Sequence, residues 1–255
     1  MRCEVHKWYL DCTTEGGEAA IVYAGDVALG RMRLPYAELL ALTAGRGPTR
    51  TSRLRRAVVD RQGTRLTLEA PAVGVSGTWN ADLPAIDTTL FEENGGFIRW
   101  RCHQAGGTAD VRLSAGRRLQ GSGYVEELTM NVPPWKMPFR ELRWGRVAAP
   151  DCSLVWIDWR DGCDRRWAFW NGRPVPAGTV RPDLVEWPAG RLDIEPGRVI
   201  RDERIGRTVA GHLAWCLPRS LARARETKWL SRGRLHAIDR PTLGVWVIHE
   251  VVRWA

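Results

Sequence analysis

GSGYVEELTMNVPPWKMPFRELRWGRVAAPDCSLVWIDWRDGCDRRWAFW, residues Gly121 to Trp170, is the stretch whose reading decides the fold. It holds six of the chain's fourteen tryptophans: Trp135, Trp144, Trp156, Trp159, Trp167 and Trp170. Charges are threaded between the rings. Glu126 and Glu127 follow Tyr124, Arg143 and Arg146 flank Trp144, and Asp158 sits beside Trp159, two residues after Trp156. Apolar and polar groups that alternate this closely describe strands with one face covered. In a strand from Tyr124 to Met130, Tyr124, Glu126 and Leu128 share one face, and Val125 and Glu127 the other. A wall that is mostly apolar with a few polar groups is what a ligand pocket presents.

Outward from this stretch the chain continues in short runs. His6 to Leu10 and Ala19 to Tyr23 read as a hairpin whose turn, Thr13 to Glu18, uses Gly16 and Gly17. Alternating runs follow at Arg55 to Asp60, Thr64 to Glu69, Val73 to Trp79, Phe97 to His103 and Ala109 to Leu113. Beyond the centre come Glu141 to Ala148, Ser153 to Arg160, Arg166 to Trp170, Leu192 to Ile194, Val199 to Glu203, His212 to Cys216 and Val245 to Trp254. Gly, Pro, Asn and Asp punctuate them at the spacing of a sandwich or barrel, and Asn171–Gly172 is a strong hairpin turn. Two segments read as short helices, Leu34 to Thr43 and Arg219 to Trp229. Pro133–Pro134 interrupts any continuous strand, so the expected division is 1–133 and 134–255. The expected fold is all-β, in two consecutive antiparallel barrels with one or two short helices.

Composition narrows the class. At 255 residues and 44% hydrophobic, the chain has ample material for a core. No apolar run reaches 18 residues, so no membrane span is expected. The N-terminus shows no secretory signal, and a cytoplasmic location is the default expectation. The net charge of +9 invites an acidic partner. Yet only three of the 38 basic residues are lysine, and the arginines are spread. The densest patches are Arg46 to Arg56 and Arg219 to Arg234. Without a recognition motif, nucleic-acid binding is not expected. The six cysteines form no C-x-x-C pair and read as free buried thiols. Cys102–His103 lacks a second close His or Cys pair, so no metal site is expected. No phosphate loop, dinucleotide fingerprint or nucleophile elbow is present.

The candidate residues each carry two readings. Glu126 beside Tyr124, in a dry tryptophan-lined hollow, would have its charged form disfavoured and serve as proton donor; otherwise it is a solvated strand acid. Trp144 and Arg146 share a face, with Arg143 opposite, so Arg146 either forks onto a substrate carboxylate or phenolate or pairs with an acid. Asp158, on the face of Trp156, is a second acid or base, or is satisfied by an arginine. Glu250 shares a face with Trp246, Ile248 and Trp254; buried there it needs a partner, naturally an arginine. His249 faces the other way. His103, on the strand of Trp100, is a proton-shuttle candidate.

With these residues in hand, the chain resembles the lipocalin-like family of carotenoid 1,2-hydratase and AttH-type proteins. Tocopherol cyclase and some fungal Diels–Alderases stand further off. The opening His6-Lys7-Trp8-Tyr9-Leu10 is similar to that family's aromatic first strand, and Gly121-Ser122-Gly123-Tyr124-Val125-Glu126 to its G-x-G-Y-x-acid strand. The resemblance implies two calycin-like barrels around a hydrophobic cavity and an activity without a cofactor, in which an alkene-like substrate is hydrated, cyclised or isomerised. Glu126 falls on the motif's acid. The next positions depart from it: the motif continues with His and Asn, this chain with Glu127 and Leu128. The expectation is a cofactor-independent isomerase, cyclase or hydro-lyase acting on a hydrophobic small molecule. Glu126, Tyr124 and Asp158 would be catalytic, and Trp144, Arg146, Trp156, Trp100, His103, Glu250 and Trp246 would line the substrate. A ligand carrier is the alternative. A sugar-active enzyme with Glu126 and Asp158 facing each other is a third reading.

Overall fold

The computed structural model describes residues 3–149, 151–205, 222–238 and 240–254. The chain divides into two compact units, Met1–Met137 and Pro138–Ala255. The first unit contains β1 (Cys3–Thr13), β2 (Ala19–Leu29), β3 (Met32–Leu42), β4 (Thr49–Arg53), β5 (Val58–Gln62), β6 (Arg65–Ala70), β7 (Val75–Ala81), β8 (Ile86–Glu93), β9 (Gly96–Gln104), β10 (Gly107–Leu113) and β11 (Arg118–Met130). The second contains β12 (Glu141–Ala148), β13 (Leu154–Arg160), β14 (Arg165–Trp170), β15 (Arg173–Val175), β16 (Val180–Arg181), β17 (Leu184–Trp187), β18 (Gly190–Ile194), β19 (Arg198–Arg204), β20 (Arg225–Ala237) and β21 (Arg240–Arg253).

Each unit is one antiparallel sheet. The first runs β4-β3-β2-β1-β11-β10-β7-β6-β5, with β9 also on β11 and β8 on β9. The second runs β15-β14-β13-β12-β21-β20-β18-β17-β16, with β19 also on β20. The same meander is therefore used twice: each unit's first strand pairs with its last, and consecutive hairpins fan out on either side. Among the described residues neither sheet closes on itself through hydrogen bonds. In the first, β4 and β5 are neighbours in sequence yet stand at opposite ends of the hydrogen-bonded path.

One face of each sheet holds a core. In the first unit Leu10, Val22, Leu39, Leu68, Trp79, Val111 and Val125 pack together. Trp79 is fully buried and its Nε1 donates to the Asp11 carbonyl at 2.7 Å. Its ring explains two glycines. A Cβ on Gly77 or Gly123 would lie 2.8 Å from it. Gly121 is needed for a different reason, since a Cβ there would meet the Thr13 carbonyl oxygen at 2.1 Å. The second core, with Val147, Leu154, Trp156, Trp187, Leu235 and Val247, repeats the device. Trp156 lies over Gly145, where a Cβ would be 2.1 Å from the indole.

Two sequence expectations change here. Leu34 to Leu42 is strand, nine of the eleven residues of β3, not a helix. Tyr36 through Leu42 is buried at every position, so both faces are covered and the alternation disappears into an apolar run that mimics a helix. Of the second expected helix, Ala222 and Arg223 are helical and Arg225 to Trp229 is the start of β20; Arg219 to Leu221 lies outside the described residues, as do His212 to Cys216. The Asn171–Gly172 turn joins β14 to β15, with φ of 51° and 72° at the two residues. Cys3, Cys12, Cys102 and Cys152 are buried and in no disulfide, while Cys163 is only half-buried.

Candidate active site on the central strand of the first unit

Strand β11 is central because it pairs with three neighbours. β1 runs along one side, and β10 then β9 along the other. Its consecutive glutamates point to opposite faces, and each is held by a different set of groups.

Glu126 is buried at 6% exposure. Its Oε2 accepts two hydrogen bonds, from Tyr124 Oη at 2.7 Å and from Trp100 Nε1 at 2.6 Å. Tyr124 lies two residues along the same strand, so period-two geometry puts both on one face. Trp100 comes from β9, opposite Leu128. Directly across on β1 stands Tyr9, whose ring meets Tyr124 edge-on at 5.9 Å and Tyr23 at 5.3 Å. Burial, then the neighbouring Cys102 and Glu126, raises the Tyr124 phenol well above its ordinary range, so it stays a donor at any working pH. Among the described residues Oε1 of Glu126 takes no hydrogen bond. The carboxyl is thus pinned through one oxygen and presents the other.

The surroundings correct the expectation in one respect. Among the described residues the groups placed around Glu126 are Tyr124, Trp100 and Tyr9, with Tyr23 behind Tyr9, rather than a tryptophan-rich wall. Five of the six tryptophans in the deciding stretch belong to the second unit, and several pack on one another there. Phe139 stacks on Trp159 at 4.3 Å, Trp167 meets Trp159 edge-on at 5.0 Å, and Trp170 lies 5.1 Å from Trp187.

Glu127, on the opposite face, joins two histidines. His6 Nε2 lies 2.7 Å from Oε1 and His103 Nε2 2.9 Å from Oε2. His103 reaches it through a bulge. Val125 pairs with Gln104 and Glu126 with Cys102, so His103 is the extra residue of β9 and is turned toward Glu127. The ring of Trp8 stacks on His103 at 4.9 Å. The two imidazoles hold the Glu127 carboxyl down to about 2, and Glu127 in turn raises His6. His103 Nδ1 is buried with no hydrogen bond among the described residues. Neither Glu127 nor His6 was singled out from the sequence. The signal was there in part: His6, Trp8 and Glu127 fall on one face once Trp8 is registered against Glu127. That register is not visible without the fold.

The other candidates all lie in the second unit. Asp158 has both oxygens occupied, by Arg160 Nε at 2.6 Å and Arg166 Nε at 2.9 Å, and its side chain is 2% exposed. It is an ion-paired residue of β13, as one of its two readings held. Arg143 donates to Glu141 at 2.6 Å, while Arg146 is buried at 1% on the other face of β12. Trp144 pairs across β12–β21 with Glu250. Lys228, placed directly opposite Glu250 by β20, pairs with it. Lys228 is fully buried, with Nζ 5.2 Å from the Trp144 ring centroid. Trp156 belongs to the core over Gly145, on the face away from Trp144. Trp246 lies under the Arg232 guanidinium at 3.8 Å. His249 accepts from or donates to Ser231 Oγ at 2.8 Å and stacks on Trp229. Glu126 and Asp158 thus belong to different units. Among the described residues no group of three or more His, Cys, Asp or Glu is placed to hold a metal. No helix among them is long and apolar enough to cross a membrane.

No family model and no curated protein matches the sequence. Solved structures do match the fold. CghA aligns over 100% of this chain and 89% of its own, at a TM-score of 0.68 and 9% identity. Kievitone hydratase from Nectria haematococca aligns over 98% of this chain and 88% of its own, at 0.59 and 12%. An AttH-like protein from Nitrosomonas europaea aligns over 98% and 92%, at 0.58 and 11%. At such identities the likeness is one of fold: an all-β chain of two consecutive antiparallel sheets of lipocalin-like type.

Proposed function

We propose that the chain is a cofactor-independent enzyme of the isomerase, cyclase or hydro-lyase type, acting on a hydrophobic small molecule of aromatic, polyketide or terpenoid character. The observation that carries the reading is the carboxyl of Glu126, buried among aromatic rings with one oxygen fixed by Tyr124 and Trp100 and the other uncommitted. A group held this way keeps its orientation while a proton passes at Oε1, which is what general acid–base catalysis asks of a side chain. For a hydro-lyase, Glu126 delivers a proton to one carbon of a double bond, water adds to the other, and the proton that water sheds returns to the carboxylate. For a cyclase or isomerase, the same oxygen hydrogen-bonds or exchanges one proton with the substrate. Kievitone hydratase and CghA, the latter also solved with Sch210972, share the fold and support this class of activity.

The test is turnover by the wild type and Glu126→Gln on a panel of prenylated phenols, polyenes and polyketides, with products read by mass. Hydration appears as a gain of one water, and cyclisation or isomerisation as an unchanged mass at a new retention time. Glu126→Gln is expected to lose about 10²–10⁴-fold in kcat while still quenching tryptophan fluorescence on binding. Equal turnover by the variant removes Glu126 from the chemistry. Tight binding with no turnover by either protein makes the chain a carrier.

A further inference from the structure

The segment from Ala44 to Arg65 carries seven arginines against one aspartate. It comprises β4, β5, the turns beside them and the link between them. Elsewhere in the described residues, arginines are repeatedly tied to carboxylates: Arg33 to Asp26, Arg101 to Asp87, Arg118 to Asp110, Arg166 to Asp158 and Arg225 to Asp202. Here the pattern breaks. Arg50 pairs with the buried Glu38 at 2.5 Å. Arg46, Arg53, Arg55, Arg56, Arg61 and Arg65 are all exposed, and among the described residues none has a carboxylate partner. Arg53 and Arg61 reach only backbone carbonyls, those of Ser52 and Gly63.

The place of this cluster in the fold is specific. β4 and β5 are the two ends of the first sheet, where the meander leaves its edges unjoined. Ala57 and Val59 pack inward on the core, while Val58 between them is 61% exposed. A cationic rim with an apolar residue at its centre thus borders the open seam of an apolar sheet.

We propose that this seam docks on the surface of an anionic phospholipid bilayer. Guanidinium groups free of internal carboxylates are available to fork onto lipid phosphates, and a cluster of this size is enough for surface attachment. Val58 would sit at the headgroup boundary. Single-stranded nucleic acid is the less fitting polyanion, because the segment from Ala44 to Arg65 contains no Phe, Tyr or Trp on which a base stacks. The inference does not depend on the role given to Glu126, since none of these residues belongs to that cluster.

Co-sedimentation with phosphatidylcholine vesicles, with and without phosphatidylglycerol, in low and high salt, tests it. The wild type is expected on the anionic vesicles only, and released by salt. The variant R53Q/R55Q/R56Q is expected to lose about fivefold in partitioning per arginine, roughly a hundredfold in all. The charge-matched control R31Q/R112Q/R173Q, also at exposed sites, is expected to bind nearly as the wild type does. Equal binding to neutral vesicles, equal loss in both triple variants, or no vesicle binding beside tight binding to single-stranded DNA would each overturn the proposal.

Discussion

Glu126 and Glu127 are adjacent in sequence, identical in chemistry and opposite in setting. One faces tyrosines and Trp100, with a single oxygen engaged. The other has both oxygens engaged by histidines and is held ionised. A pair of conservative substitutions separates them. Glu127→Gln removes the acceptor shared by His6 and His103, and it is expected to lower the melting temperature while leaving kcat within about threefold of wild type. Tyr124→Phe removes one of two donors on Glu126 Oε2, and it is expected to lower kcat about tenfold with KM little changed, because the carboxyl loses orientation rather than substrate contact. Steady-state kinetics on both variants, beside thermal melts, gives the answer. If Glu127→Gln is the one that stops turnover, the acting carboxyl lies on the other face of β11.

At the scale of elements, strands were legible where polar and apolar residues alternate in sequence. β9 and β10 have one covered and one wet face, β12 and β13 keep charges between their rings although β13 is buried at six of seven positions, and all four were found within a residue or two. β3 was not, because Tyr36 to Leu42 is buried on both faces and period two leaves no trace in polarity. β4 was passed over for the opposite reason. β4, Thr49 to Arg53, is exposed or half-exposed throughout and offers no apolar face to read. Of the site, the face shared by Tyr124 and Glu126 was legible from spacing. Trp100 as a second donor depends on the β9–β11 register, and the His103 contact on a bulge; neither is encoded at short range. The glycines beside the tryptophans are also a property of pairs of strands. Gly145→Ala is expected to destabilise by roughly 1–3 kcal/mol, since the new methyl must displace the buried Trp156 ring. For a chain of this size that is a drop of about 2–12 °C in Tm, largely recovered in Gly145→Ala/Trp156→Leu. A melt unchanged by Gly145→Ala alone would mean the ring moves freely and the packing argument fails.

At the scale of the whole molecule, the buried titrating groups set how stability responds to acid. His249 is held neutral, down to about 4, first by burial and then by the positive charge of Lys228. Below about 6.5 the unfolded chain binds a proton at this histidine that the folded chain refuses, so stability falls as the pH drops from about 6.5 to 4. The full effect is on the order of 3 kcal/mol. Glu127 acts in a lower window. Its folded value near 2 lies below its ordinary 4.5, so the stability it contributes is intact above about 4.5 and is lost as the pH falls toward 2. Asp110, Asp193 and Asp202 are lowered by their arginine partners and add to the same window. His6 has the opposite sign: raised first by its hydrogen bond to Glu127, with Asp26 adding and Arg33 opposing, it contributes below 6.5 and loses that contribution as the pH rises through its folded value. Tm measured from pH 8 to 3 is therefore expected to decline in two stages. His249→Gln, which keeps a hydrogen-bonding group for Ser231, is expected to lower Tm near neutrality but to flatten the upper stage; Glu127→Gln is expected to reduce the lower stage. An upper stage equally steep in His249→Gln would show that some other group carries the acid response between pH 6.5 and 4.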